Sequence, residues 1–186
     1  MCQKFISALL ITAGLCLVIV GYLNIVDGKK EVDQSFQSAK AAIQQKVQKD
    51  SPFAPQAGET IGLLHIPKLE AELPIVEGTE ADDLAKGVGH FRESYFPNEH
   101  GQIVLSGHRD TVFRRTGELV EGDQLIIELS YGRFVYEIEK TKIVKKDDKK
   151  IITLQQEKEE LVLTTCYPFS FIGPAPNRYI IYGKRI

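Results

Sequence analysis

The segment from Phe5 to Val26, FISALLITAGLCLVIVGYLNIV, carries no charged side chain over 22 residues. About 20 consecutive apolar residues let a helix cross the hydrocarbon of a bilayer. Lipid offers a backbone no hydrogen-bond partner, so a lone spanning segment is confined to helix. A cleaved secretory signal is the other use of an apolar N-terminus. Its apolar stretch usually runs about 7–15 residues and ends at a small-residue cleavage site. This run is longer, and Leu23-Asn24-Ile25-Val26 offers no such site. Cys16 follows the bulky Leu15, which argues against lipid attachment at that cysteine. The reading is a retained anchor. Lys4 lies on one flank and Lys29 with Lys30 on the other, so charge leaves the orientation open.

Beyond the anchor, Glu31 to Lys49 places Val32, Phe36, Ala39, Ile43 and Val47 at three- and four-residue spacing. That is the pattern of a mildly amphipathic helix. We read it as a stalk that lifts a domain off the membrane. SPFAPQAG, from Ser51 to Gly58, then breaks the periodicity with two prolines and a glycine. The divisions are therefore 1–30 for the anchor, 31–57 for stalk and linker, and 58–186 for a domain with a single core.

From Thr60 onward the pattern is β. TIGLLHI, AELPIV, QIVLSGH, DQLIIEL, RFVYEIEKTKIV, ELVLTTC and RYIIYGKRI are short runs rich in β-branched and aromatic residues, punctuated by Gly101, Gly122-Asp123 and Tyr131-Gly132. One short helix is expected around Ala81 to Lys86. Many strands and few helices predict a barrel or sandwich, and a closed barrel removes exposed strand edges. The net charge of −2 comes from interspersed residues of both signs, so no broad basic surface for nucleic acid is implied.

Cys2 and Cys16 belong to the membrane segment, which leaves Cys166 as the one cysteine of the domain. In an exported domain an unpaired cysteine is either a buried small hydrophobe or a free reactive thiol. Reactivity needs the thiolate, hence a neighbouring base or cation. His65 sits within an apolar strand, and His90 and His100 flank aromatic loop residues. His108 closes the strand QIVLSGH and opens the polar loop RDTVF, where a rigid element can aim an imidazole. Zinc ligands usually come in pairs at short spacing, and no C-x-x-C occurs. Ser106 reads as a hydrogen-bonded strand serine. Arg178 opens the last strand, 12 residues after the cysteine, and strands joined by such a loop can bring their facing ends together. A guanidinium there would suit a developing oxyanion.

Taken together, LSGHRDTVF (Leu105–Phe113), LTTCYPF (Leu163–Phe169) and RYIIYGKRI (Arg178–Ile186), in that order over about Gly58 to Ile186, resemble the sortases, the cysteine transpeptidases of Gram-positive cell surfaces. The usual T-L-x-T-C signature lacks its leading threonine here, where Val162 stands. That departure points away from the housekeeping class, and GHRDTVF and TTCYPF are most similar to class D sortases of spore-forming bacilli. No second apolar segment follows Val26, so the C-terminal anchor of the pilin-polymerising class is not expected.

The resemblance implies an all-β, eight-stranded barrel with one or two short helices, preceded by a transmembrane helix and helical stalk. It implies Cys166 as nucleophile, His108 as acid and base, and Arg178 as oxyanion and substrate holder, helped by the Thr164–Thr165 region. Lys145 to Glu160 falls where sortases carry a groove-forming loop, with Ile151 and Ile152 as lining residues. The expected substrates are surface proteins bearing an LPxTG or LPxTA signal, and the acceptor is an amine on a peptidoglycan precursor. The protein is expected at the cell membrane, single-pass, with its domain outside. No cofactor is called for, and dependence on calcium stays open. Two other readings are a pilin-polymerising sortase and a non-catalytic wall-binding β domain. Asp110 reads as a turn aspartate or a partner of Arg109, with orientation of His108 as its alternative role.

N-terminal sequencing of protein recovered from membranes should therefore find the apolar run intact. A mature chain starting near residue 27 would overturn the retained anchor.

Overall fold

The uncharged run and the amphipathic stretch after it form one continuous helix, α1 (Cys2–Gln44). The computed structural model describes residues 2–45, 53–171 and 173–186, with backbone alone at 2–10, 24, 25 and 27. At 1.5 Å per residue α1 is about 65 Å long. It is long and apolar enough to cross a membrane, and Ile11, Leu17 and Val18 stand about 70% exposed on it. The last residues of the predicted stalk, 46–49, and the first two of the linker lie outside the described residues.

The remaining elements are β1 (Thr60–Ile66), β2 (Ala71–Glu77), α2 (Ala81–Lys86), β3 (Val88–His90), β4 (Gln102–Ser106), β5 (Gln124–Leu129), β6 (Gly132–Lys145), β7 (Glu160–Tyr167) and β8 (Asn177–Arg185). They close an eight-stranded barrel in the order β1-β2-β3-β4-β7-β8-β6-β5. Neighbours are antiparallel except β2–β3 and β4–β7. A parallel pair needs a crossover, and α2 supplies it between β2 and β3. The α2 helix spans the residues expected of it, and its start is capped reciprocally by Glu80 and Asp83.

Strand alternation sorts the apolar residues onto two faces. Leu64, Ile75, Ile103, Leu105, Leu125, Ile127, Tyr136, Leu161, Leu163 and Ile181 fill the lumen with Phe113. Val104, Val162, Ile180, Tyr182 and Val144 form a second cluster on the outer face of β4, β7, β8 and β6, under Ile151 of the β6–β7 loop. Both faces of β4 and β7 are thereby covered. This explains why QIVLS and ELVL read as continuous apolar runs rather than alternating ones. At one end of the barrel the Tyr136 hydroxyl donates to Glu159 at 2.6 Å. Burial, reinforced by that carboxylate, pushes the phenol far above its ordinary value.

The stalk is not a free spacer. Ser35 is 5% exposed and Ala39 fully buried, and Val32, Phe36 and Ile43 on the same stripe are half-buried. The Ser35 and Thr60 hydroxyls are 3.0 Å apart, which ties α1 to the first residue of β1. The linker is fastened too: the Phe53 ring meets Phe96 and Tyr131 edge-on, both with centroids 4.9 Å away. The predicted amphipathic stripe is the face that docks, and small residues at its centre let the helix lie close.

A larger side chain at Ala39 has nowhere to go. Overpacking usually costs about 1–3 kcal/mol, so Ala39→Leu should lower the melting temperature of the full chain in detergent by several degrees. A free stalk would leave that temperature unchanged.

Candidate active site

β7 runs between β4 and β8, and Cys166 lies near its end. In the antiparallel β7–β8 ladder the residue directly opposite Cys166 is Arg178. Directly paired residues project from the same face, with Cβ atoms about 4.5–5.5 Å apart. The thiol is free and half-buried. Arg178 is half-buried as well, and its Nη1 donates to the carbonyl oxygen of Asn177 at 3.0 Å and of Ala175 at 3.5 Å. Those bonds hold the guanidinium at the mouth of the β7–β8 loop.

The other flank of β7 is the parallel pairing with β4, in register from Gln102–Glu160 to Ser106–Thr164. The strand ends at Ser106 rather than running through His108 as the sequence suggested, but two bonds extend the contact. Gly107 N–H donates to Thr164 O at 3.2 Å. The Thr165 hydroxyl donates to Gly107 O at 2.7 Å. Continuing the register by two residues brings His108 abreast of Cys166. The histidine then opens a tight turn, its carbonyl accepting from Thr111 N at 3.4 Å and Phe113 N at 3.0 Å. Phe113, only 1% exposed, anchors that turn in the lumen. A methyl added at Gly107 would come within 2.6 Å of the Phe113 ring, so only glycine fits there. The imidazole of His108 is exposed, and no hydrogen bond engages it among the described residues.

Cysteine and arginine thus face each other on β7 and β8, and the histidine comes from the turn that leaves β4 on the other flank of β7. The arrangement sets a free thiol between an imidazole on one flank and a guanidinium on the other. Two of the three remaining histidines have other company. His65 Nε2 is 2.7 Å from Glu128. His90 is 1% exposed, bonded to Glu77 at 2.7 Å and stacked on Phe96.

The other predicted positions separate. Thr164 lies on the cysteine's face of β7, by alternation. Thr165 does not. It is 5% exposed, and its hydroxyl donates to the Gly107 carbonyl, so its side chain braces β4 against β7. Ile151 is buried in the outer cluster as packing, whereas Ile152 is 38% exposed. Asp110 is exposed, and among the described residues its backbone carbonyl alone is engaged, by Arg114 Nε at 3.0 Å. Among the described residues no ion pair joins it to Arg109.

Two supporting residues escaped the sequence reading. Gln102, 1% exposed, folds the β6–β7 loop onto β4. Its amide donates to Ile151 O at 3.1 Å, and its carbonyl accepts from Thr153 N at 2.8 Å and Leu154 N at 3.2 Å. A glutamine opening an otherwise apolar strand was the available signal. Arg109, directly after His108, reaches the β7–β8 loop.

Comparison with known proteins agrees with this geometry. The Sortase domain family matches residues 64–186. The chain is 56% identical to Sortase D of Bacillus subtilis over 196 aligned positions, covering 99% of each. It is 31% identical to Sortase SrtE1 of Streptomyces coelicolor across 74% of this chain and 44% of that protein. Among solved structures, the catalytic domain of B. anthracis SrtD is 42% identical with a TM-score of 0.61, over 75% of this chain and 95% of that one. A Clostridium perfringens Sortase D5 transpeptidase is 25% identical with a TM-score of 0.66, over 84% and 94%.

The Thr165 brace is open to test. Thr165→Val keeps the volume but strands a buried carbonyl, a loss worth about 1–3 kcal/mol. Thermal melts should show that destabilisation, and hydrogen exchange should rise first at the β4–β7 ladder. An unchanged melt would mean that the brace carries no stability.

Proposed function

The chain belongs to the sortase family of transpeptidases, and on that premise we propose that Cys166 is its nucleophile, His108 its acid and base, and Arg178 its oxyanion partner. The observation that carries the reading is the direct opposition of Cys166 and Arg178 on β7 and β8, with the His108 turn tied to the other side of β7.

The thiolate of Cys166 attacks the threonine carbonyl of an LPxT-type sorting signal. The negative charge that develops on the carbonyl oxygen falls beside the Arg178 guanidinium, which stays cationic and offers forked donors. Collapse of the tetrahedral species breaks the peptide bond. His108 gives its proton to the departing amine, leaving a thioacyl enzyme. An amine on a cell-wall precursor then attacks that thioester, and His108 takes a proton from it. The new amide leaves with the surface protein, and the Cys166 thiolate is restored beside protonated His108. The nucleophile is split from the acid–base group, as in other covalent catalysts. With the apolar part of α1 in the membrane and the barrel outside, the sorting signals of exported proteins lie within reach.

The test uses the full chain in detergent with LPxTG and LPxTA peptides and an added amine. Wild-type protein should cleave and transfer, and mass spectrometry should find a substrate-sized adduct on Cys166. Cys166→Ala should abolish both reactions, while Cys16→Ala leaves them intact. Arg178→Ala should lower turnover by roughly 10²–10³, the usual loss for one oxyanion donor, and Arg178→Lys should rescue it in part. Turnover by Cys166→Ala would rule out thiol catalysis.

A further inference from the structure

The β7–β8 loop leaves β7 directly after Cys166 and Tyr167 and re-enters β8 at Asn177, beside Arg178. It is held at two places. At its start the Phe169 ring packs on the backbone of Gly117, where an added methyl would come within 2.7 Å of that ring. Further on, Arg109 Nη2 donates to Phe171 O and to Gly173 O, both at 2.7 Å. The guanidinium also lies 5.9 Å from the centroid of the Phe171 ring. Arg109 belongs to the same tight turn as His108, the turn closed by Thr111 and Phe113 on the His108 carbonyl.

Resting on the reading of Cys166 and His108 as reacting pair, we propose that Arg109 is a positioning residue. It clamps the β7–β8 loop to the histidine turn and so sets the width of the mouth above the thiol. The chemistry suits the task. Hydrogen bonds from a charged donor are roughly twice as strong as neutral ones, and the two N–H groups of Nη2 serve the two carbonyls from one rigid, planar nitrogen. The clamp joins the two segments that bracket Cys166, one following the strand on its β4 side and one leaving its own strand. It acts without touching the thiol. Loss of the clamp releases the middle of the loop while Phe169 still holds its base, so the barrel survives and the mouth loosens.

The experiment compares wild type, Arg109→Ala and Arg109→Lys as full chains in detergent. Hydrogen exchange reads the loop, and steady-state kinetics on an LPxT peptide reads the mouth. In Arg109→Ala, exchange at the loop should rise at least about tenfold, with β7, β8 and the melting temperature little changed. Its kcat/KM should fall about 10–100-fold, chiefly through KM, since a misplacement of about 1 Å can cost 10². Arg109→Lys should lie between the two. Unchanged loop exchange in Arg109→Ala overturns the clamp, whatever the kinetics. A freed loop with wild-type KM and kcat overturns its role at the mouth. If wild type itself turns over no peptide, the proposed reaction fails, and the exchange comparison still decides the clamp. Should Arg109→Ala fail to fold, Arg109→Lys carries the same comparison.

Discussion

The site depends on the parallel pairing of β4 with β7. These strands are 58 residues apart in the chain, at Gln102 and Glu160, and their alignment puts the turn bearing His108 next to the strand bearing Cys166. The antiparallel β7–β8 ladder would place Cys166 opposite Arg178 without it. Nothing local would then bring up the imidazole. The buried Thr165–Gly107 bond sits where the ladder runs out, one residue before His108, and fixes where the chain leaves the strand. A one-residue slip would turn every side chain of a strand to the opposite face. The lumen residues Leu161 and Leu163 and the outer Val162 make such a slip costly on both faces at once. Two-sided burial is thus the device that keeps the thiol in its place.

Loops complete what the strands begin, and three side chains fasten them. Gln102 holds the β6–β7 loop, Arg109 the β7–β8 loop, and Phe113 the histidine turn. Each fastening starts from a strand end or from a tight turn beside one. Rigid elements provide the reference and irregular segments provide the mouth, the usual division of labour in binding sites.

Much of this was legible in the sequence. The runs later seen as β1, β2, β4, β5, β6, β7 and β8 stood out by composition, and α2 by its length and flanks. Cys166, His108 and Arg178 emerged as the chemically distinctive trio before any coordinates. What stayed hidden was non-local. β3 is three residues long with a glycine at its centre, too short to show a period. The docking of α1 was hidden because Ser35 and Ala39 are small, and a small residue on an amphipathic stripe looks the same whether it faces water or a close neighbour. Thr165 lies next to the cysteine in sequence, but strand alternation turns it away. Arg109 was legible only as a polar neighbour of His108, since its acceptors are backbone carbonyls more than 60 residues away.

The docked end of α1 has a consequence for motion. Ser35, the first fully docked residue, lies only nine positions beyond Val26, the last of the apolar run, which is about 14 Å of helix. With the apolar half of α1 in a bilayer, the barrel has no swivel: it rides at a set height and tilts only as the helix tilts. Its mouth sweeps a thin layer above the lipid rather than a hemisphere. Surface proteins held in the same layer would meet it by lateral diffusion, with much of the rotational search already removed.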